Sequence, residues 1–362
     1  MMIPAAKPII GDEEREAVDR VLRSGMIAGG PEVAAFENEF SVHVGGRHCV
    51  AMNSGTSALH LALIAMGIGA GDEVIVPSFS FAATANSVAL TGATPVFADI
   101  DRATFNLDPA AAEAAITSRT KAIMPVHLYG QMAAMDQFEA IAEKHGLQII
   151  EDSAQSHLAS FNGRNAGEWG TTACFSFYPT KNMTSGEGGM VVTPDAKIAR
   201  MLRLLRNQGM EQRYKNEVIG FNTRMTDIHA AIGRVQLGKL PGWTAQRKAN
   251  AEFLDANISG VIVPPVAAGA SHVYHQYTIR IPVETGEQRD AFMAALTEKG
   301  VGSGVYYPTP IHRLPSFELS LDLPETELAA RQVLSLPIHP ALSVEDIKQV
   351  AEAVTATANE LL

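Results

Sequence analysis

Four polar clusters interrupt the apolar runs of the first 227 residues, and each has the make-up of a ligand-binding loop. Lys181 stands in Phe175-Ser176-Phe177-Tyr178-Pro179-Thr180-Lys181-Asn182, followed by Gly186-Glu187-Gly188-Gly189-Met190. A lysine in a glycine-dense loop with few neighbouring charges can present a desolvated amine, which acts as a nucleophile. An exposed loop lysine is the plainer reading. Asp152 lies in Glu151-Asp152-Ser153-Ala154-Gln155, at the end of an apolar run. An acid there is a helix cap or a group aimed at a cofactor. Asn53-Ser54-Gly55-Thr56-Ser57 precedes an apolar helical pattern. Glycine lets a backbone come close, and helix-start amides attract an anion, although an ordinary serine N-cap accounts for the same residues. Its spacing is neither a Walker loop nor G-x-G-x-x-G. The fourth cluster, Gly220-Phe221-Asn222-Thr223-Arg224-Met225-Thr226-Asp227, opens a helix.

The elements that position these clusters follow from periodicity. Strands are predicted at His48 to Met52, Glu73 to Val76, Pro95 to Asp99, Ala122 to Val126 and Leu147 to Glu151. Helical patterns separate them, near Pro31 to His43, Ala58 to Met66, Ala82 to Leu90 and Asp136 to His145. That alternation implies crossover connections and a mainly parallel sheet with both faces covered. Ligands then sit outside the carboxyl ends of the strands. Two further strands, Ala173 to Phe177 and Gly189 to Thr193, flank the Lys181 loop. Helices follow at Ala196 to Arg206 and at Thr226 to Leu240, the latter ending before Pro241. Beyond Trp243 the pattern is mixed, with a strand at Tyr274 to Ile281 and helices at Gln288 to Lys299 and Val344 to Leu361. The expected organisation is a large α/β domain over residues 1–243 and a smaller α+β domain over 244–362.

Composition narrows the function classes. A chain of 362 residues exceeds what one hydrophobic core usually organises. Hydrophobic residues at 46% and charged residues at 19% fit a globular fold. The formal net charge of −11 speaks against a general nucleic-acid binder, which needs a phosphate-neutralising surface. It leaves room for an anionic small molecule held by local cations. No apolar run approaches the roughly 20 residues of a membrane span. The opening Met1-Met2-Ile3-Pro4 has no basic segment before an apolar one, so no signal peptide is expected and the location is read as cytoplasmic. Two cysteines, Cys49 and Cys174, suggest neither a disulfide framework nor a zinc site, and no metal is expected.

Taken together, the motifs resemble the nucleotide-sugar aminotransferases of the DegT/DnrJ group, fold-type-I enzymes that use pyridoxal phosphate. The resemblance runs from Ser24-Gly25 and Gly30-Pro31 through Gly71-Asp72-Glu73-Val74-Ile75-Val76-Pro77 to Pro337-Ile338-His339-Pro340. Its most specific pieces are Glu151 to Gln155 with Ser176 and Lys181, and Arg224-Met225-Thr226-Asp227-Ile228. It implies that Lys181 holds the cofactor as a Schiff base and shuttles the proton, while Asp152 pairs with the pyridinium nitrogen. By the same resemblance, Gln155 bonds the ring hydroxyl, and Gly55, Thr56 and Ser176 hold the phosphate. Phe81 stacks on the ring; ordinary core packing is its plainer role. Asn222 reaches the phosphate of the neighbouring subunit, which implies a homodimer with shared active sites.

Tyr307 and His312, in Tyr306-Tyr307-Pro308-Thr309-Pro310-Ile311-His312, occupy a segment that borders the sugar pocket in the group, and Arg224 offers a cation to a diphosphate. The implied reaction moves an amino group from glutamate to a keto sugar, nucleotide-linked in the group's manner, with pyridoxamine phosphate as the intermediate carrier. Amination of a cyclitol or an aromatic precursor ketone uses the same residues, and a cofactor-binding regulator without turnover is a rival from another class. Members with histidine in place of the lysine are dehydratases; the lysine here disfavours that branch.

Overall fold

In the computed structural model, which describes residues 2–362, the apolar runs of the first half assemble into one seven-stranded sheet. The chain enters through α1 (Asp12–Ser24) and α2 (Pro31–Ser41), then alternates β1 (His48–Met52), α3 (Gly55–Ala65), β2 (Glu73–Pro77), α4 (Ala83–Ala89) and β3 (Thr94–Ala98). It continues with α5 (Pro109–Ala114), β4 (Thr120–Ile123), α6 (Met135–His145) and β5 (Gln148–Asp152). A short hairpin of β6 (Ser160–Phe161) and β7 (Arg164–Asn165) leads to β8 (Thr172–Ser176), β9 (Gly189–Thr193) and α7 (Ala196–Arg206).

Across the sheet the order is β1-β9-β8-β5-β4-β2-β3. β3, β2, β4, β5 and β8 pair in parallel, and β9 runs antiparallel to both of its neighbours. The mainly parallel sheet is therefore as expected. Helices cover both faces, and β2, β8 and β9 are buried along their whole length, as their continuous apolar runs require. Neighbouring residues feed opposite cores: Ile75 packs with Phe36, Phe138 and Phe175, while Val74 and Val76 pack with Leu59, Leu61 and Leu202.

One helix departs from its sequence pattern. After a small hairpin of β10 (Met210–Gln212) and β11 (Lys215–Asn216), α8 (Asp227–Asn257) runs 31 residues straight through Pro241. A proline removes one N–H and crowds the preceding turn. Here packing on both sides of Pro241 outweighs that cost: Leu237 and Leu240 lie in the large core, and Ala251 and Leu254 lie in a third one. Trp243, where the domain boundary is expected, thus lies inside a helix.

The third core is built around β13 (Tyr277–Arg280) paired antiparallel with β14 (Val333–Leu336), covered by α9 (Gly286–Glu298) and α11 (Val344–Leu361). The intervening β12 (Ala270–Ser271) pairs with β6, and α10 (Pro324–Gln332) precedes β14. Ile3, left unassigned by periodicity, bridges to Val301 and is buried in this core. Among the described residues no helix is long and apolar enough to cross a membrane.

Candidate active site

β1, β5 and β8 run in the same direction, so their carboxyl ends gather three of the four polar clusters along one edge. Asp152 ends β5, Ser176 ends β8, and Asn53 follows β1.

The first wall is the start of α3. Ser54 is its N-cap, and its Oγ accepts the Ser57 N–H at 3.1 Å. The N–H groups of Gly55 and Thr56 find no partner among the described residues. Unpaired amides at the positive end of an eleven-residue helix make a site for an anion. Gly55 packs directly on Ser176: a Cβ there would stand 2.7 Å from the Ser176 Cβ. Gly189 must be a glycine for a similar reason, since a Cβ would collide with the Ser54 carbonyl oxygen. The glycine-dense loop thus lets β8, β9 and the α3 start close on one another.

The second wall is acidic and buried. Asp152 is only 4% exposed. Its Oδ2 accepts the Thr84 hydroxyl at 2.8 Å and its Oδ1 accepts the Ala154 N–H at 3.2 Å. Burial pushes its pKa up, opposed by those two hydrogen bonds and by the charge of Lys181. Lys181 is partly exposed, and its Nζ makes no hydrogen bond or ion pair among the described residues. Burial pulls its pKa down to about 8, with Asp152 pulling the other way. An amine poised so close to neutrality serves as nucleophile and as proton carrier at physiological pH.

The third wall is aromatic. Phe81 is 59% exposed, so core packing does not account for it. Its ring centroid lies 6.0 Å from that of Tyr307. Gln155 ties this wall to the acidic one: its Nε2 donates to the Tyr307 hydroxyl at 3.2 Å, and its Oε1 accepts the Tyr129 N–H at 2.7 Å. Tyr129 in turn donates its hydroxyl to the Tyr306 carbonyl.

Three expected residues stand apart. Asn222 is exposed, its backbone bridges to Asn207, and its amide makes no hydrogen bond to Gly55, Thr56 or Ser176. Arg224 donates to Asn207 Oδ1 at 2.8 Å and lines a different cavity of about 360 Å³ with Arg203, Arg206 and Glu37. His312 does not reach the open site. It is fully buried, with Nδ1 hydrogen-bonded to Ser78 Oγ at 2.6 Å and Nε2 3.2 Å from Glu327 Oε1 on α10.

Two groups in the cluster escape a reading of the sequence. Thr84 lies one helical turn beyond Phe81, and its partner Asp152 is 68 residues away. His157 is buried between Phe175 and Phe177, at ring distances of 5.4 and 5.6 Å, with neither nitrogen hydrogen-bonded. Burial pulls its pKa down to about 3, and the nearby Lys181 charge adds to the effect. Its place two residues after Gln155 is the one signal available in the sequence.

Comparison with known proteins identifies a family. The sequence model of the DegT/DnrJ/EryC1/StrS aminotransferase family matches residues 8–355. A pleiotropic regulatory protein of Geobacillus stearothermophilus is 44% identical, over 94% of this chain and 93% of its own length. The dTDP-3-amino-3,4,6-trideoxy-alpha-D-glucose transaminase of Streptomyces venezuelae is 42% identical, over 97% of this chain and 94% of its own. Among solved structures, S. venezuelae DesV in complex with a ketimine intermediate superposes with a TM-score of 0.93 at 40% identity, covering 98% of this chain and 99% of that one.

Proposed function

The chain belongs to the DegT/DnrJ/EryC1/StrS aminotransferase family, and from that premise we propose that it uses pyridoxal phosphate to move an amino group from glutamate onto a nucleotide-linked keto sugar. The observation that carries this reading is the unpartnered amine of Lys181 beside the buried Asp152, at the strand edge where the α3 amides await an anion.

The residues present fit that cofactor group by group. Its phosphate suits the N–H groups of Gly55 and Thr56 and the Ser176 hydroxyl. A ring nitrogen that carries a proton gives Asp152 the cationic partner that a buried carboxylate needs. The ring hydroxyl suits Gln155, and the exposed face of Phe81 suits an aromatic ring. When bound, the cofactor supplies an electron sink for the carbon that carries the amine.

The protein's own groups do the rest. Lys181 Nζ takes the proton from the donor's carbon and returns a proton to the sugar carbon. Asp152 would face the ring nitrogen and, as a carboxylate, would hold its proton there. Phe81 shields one ring face from water. Tyr307, held by Gln155, forms the wall toward the sugar. Asn222 and Arg224 serve a substrate or phosphate only across a subunit interface, in a homodimer whose sites are shared.

The test is a panel of nucleotide-linked keto sugars incubated with glutamate, with amine formation read by mass. One aminated sugar is expected; a panel that yields none, with cofactor loaded, would argue against a sugar acceptor. The relative from Geobacillus stearothermophilus is a pleiotropic regulatory protein. A regulator without turnover would not convert the loaded cofactor to its amine form when glutamate alone is added, and an aminotransferase does.

A further inference from the structure

Behind Asp152 lies a chain of two buried hydroxyls. Ser80 Oγ and Thr84 Oγ1 are 2.8 Å apart, and Thr84 Oγ1 is 2.8 Å from Asp152 Oδ2. Ser80 is 3% exposed and Thr84 1%, so water does not compete for these bonds. A hydroxyl has one proton to donate. When Asp152 is ionised, Thr84 must spend its proton on Oδ2, and Ser80 must then donate to Thr84. The two donors therefore line up toward the carboxylate, and each polarises the next. Among the described residues the second carboxylate oxygen has only the longer bond from Ala154 N–H, at 3.2 Å.

We propose that Ser80 and Thr84 are positioning residues that hold Asp152 as an oriented carboxylate for the cationic nitrogen of the bound ring. This rests on the cofactor reading above. It assigns the pair a role toward one atom of the ligand, which packing alone would not give. The approach to α4 supplies the geometry: Thr84 sits in the first turn of the helix, and Ser80 lies in the segment between β2 and α4, four residues earlier. Neither residue touches the reacting carbon in this account; both act through Asp152.

Two ligands separate that role from a structural one. Pyridoxal phosphate has the ring nitrogen, and its 1-deaza analogue has a carbon in that place. Thr84→Val keeps the shape of the side chain and removes the hydroxyl. The apo protein carrying Thr84→Val should bind pyridoxal phosphate about ten- to a hundredfold more weakly than wild type, as expected for a lost hydrogen bond to a charged group. Its affinity for the deaza analogue should stay near the wild-type value, and Thr84→Ser should restore the difference. Equal losses for both ligands, or no loss for either, would overturn the proposal. Should Thr84→Val fail to fold, Ser80→Ala carries the same test: it keeps the Thr84 bond, removes its donor, and should show a smaller loss with the same preference. Wild-type protein that binds neither ligand would instead contradict the cofactor reading.

Discussion

Gly55 and Ser176 come from different strand ends, yet they touch so closely that a single added carbon on Gly55 would stand 2.7 Å from the Ser176 Cβ. That contact sets the spacing between the start of α3 and Ser176. Gly55→Ala should therefore push α3 away from β8. Overpacking of this kind costs about 1–3 kcal/mol, so a lower melting temperature and weaker cofactor retention are expected together. Ser176→Ala leaves the packing alone. It should lower cofactor affinity about ten- to a hundredfold with the melting temperature of the apo protein unchanged. Titration of both apo variants with pyridoxal phosphate, beside thermal melts, separates the two effects.

The amine of Lys181 carries a pH signature. Its pKa is held near 8 because burial disfavours the charge more than Asp152 favours it. Only the neutral amine attacks an aldehyde, so capture of pyridoxal phosphate by the apo protein should speed up roughly tenfold from pH 7 to pH 9. Asp152→Asn removes the charge that raises this pKa. The midpoint of the capture profile should then move below 8; a midpoint that stays or rises would show that the two groups are not electrostatically linked. Stopped-flow absorbance reads both profiles.

Asp152→Asn bears on turnover as well. A neutral amide cannot hold the pyridinium proton, so kcat should fall sharply and the cofactor should bind more weakly. The fold should survive, since Thr84 and the Ala154 N–H can still bond an amide of the same shape. Unchanged kcat and affinity would remove Asp152 from the site.

Much of this arrangement could be read in the chain, for identifiable reasons. Buried strands appear as unbroken apolar runs, so β1, β2, β5 and β9 stand out, and polar residues at their ends, such as Asp152, are conspicuous. What stayed hidden depends on tertiary context. Nothing near Thr84 announces Asp152, because α4 must first be set against β5. The course of α8 through Pro241 follows from packing in two cores, which local propensity does not contain. His312 reads as a pocket residue in sequence and lies buried between Ser78 and Glu327. α1 is absent from the elements that periodicity predicts, although the acids Asp12, Glu13 and Glu14 fill its first turn and Gly25 ends it.

Asn222 tests whether sites are shared. Exposed, and without a bond from its amide to its own phosphate cup, it is free to serve a second subunit. Inactive Lys181→Ala protein mixed with an inactive, bulky Asn222 variant should regain part of its activity, because one site of each mixed dimer then carries neither defect. No recovery in dimers shown to have exchanged subunits would mean that Asn222 acts within its own chain or not at all.

The role of Lys181 can be examined without knowing either substrate. Borohydride reduction of the cofactor-loaded protein, followed by peptide mapping, should place the reduced cofactor on the peptide that contains Lys181. Lys181→Ala should carry none there and lose turnover by several orders of magnitude. Cofactor found on any other lysine, or none fixed on a protein that is visibly loaded, would contradict the account.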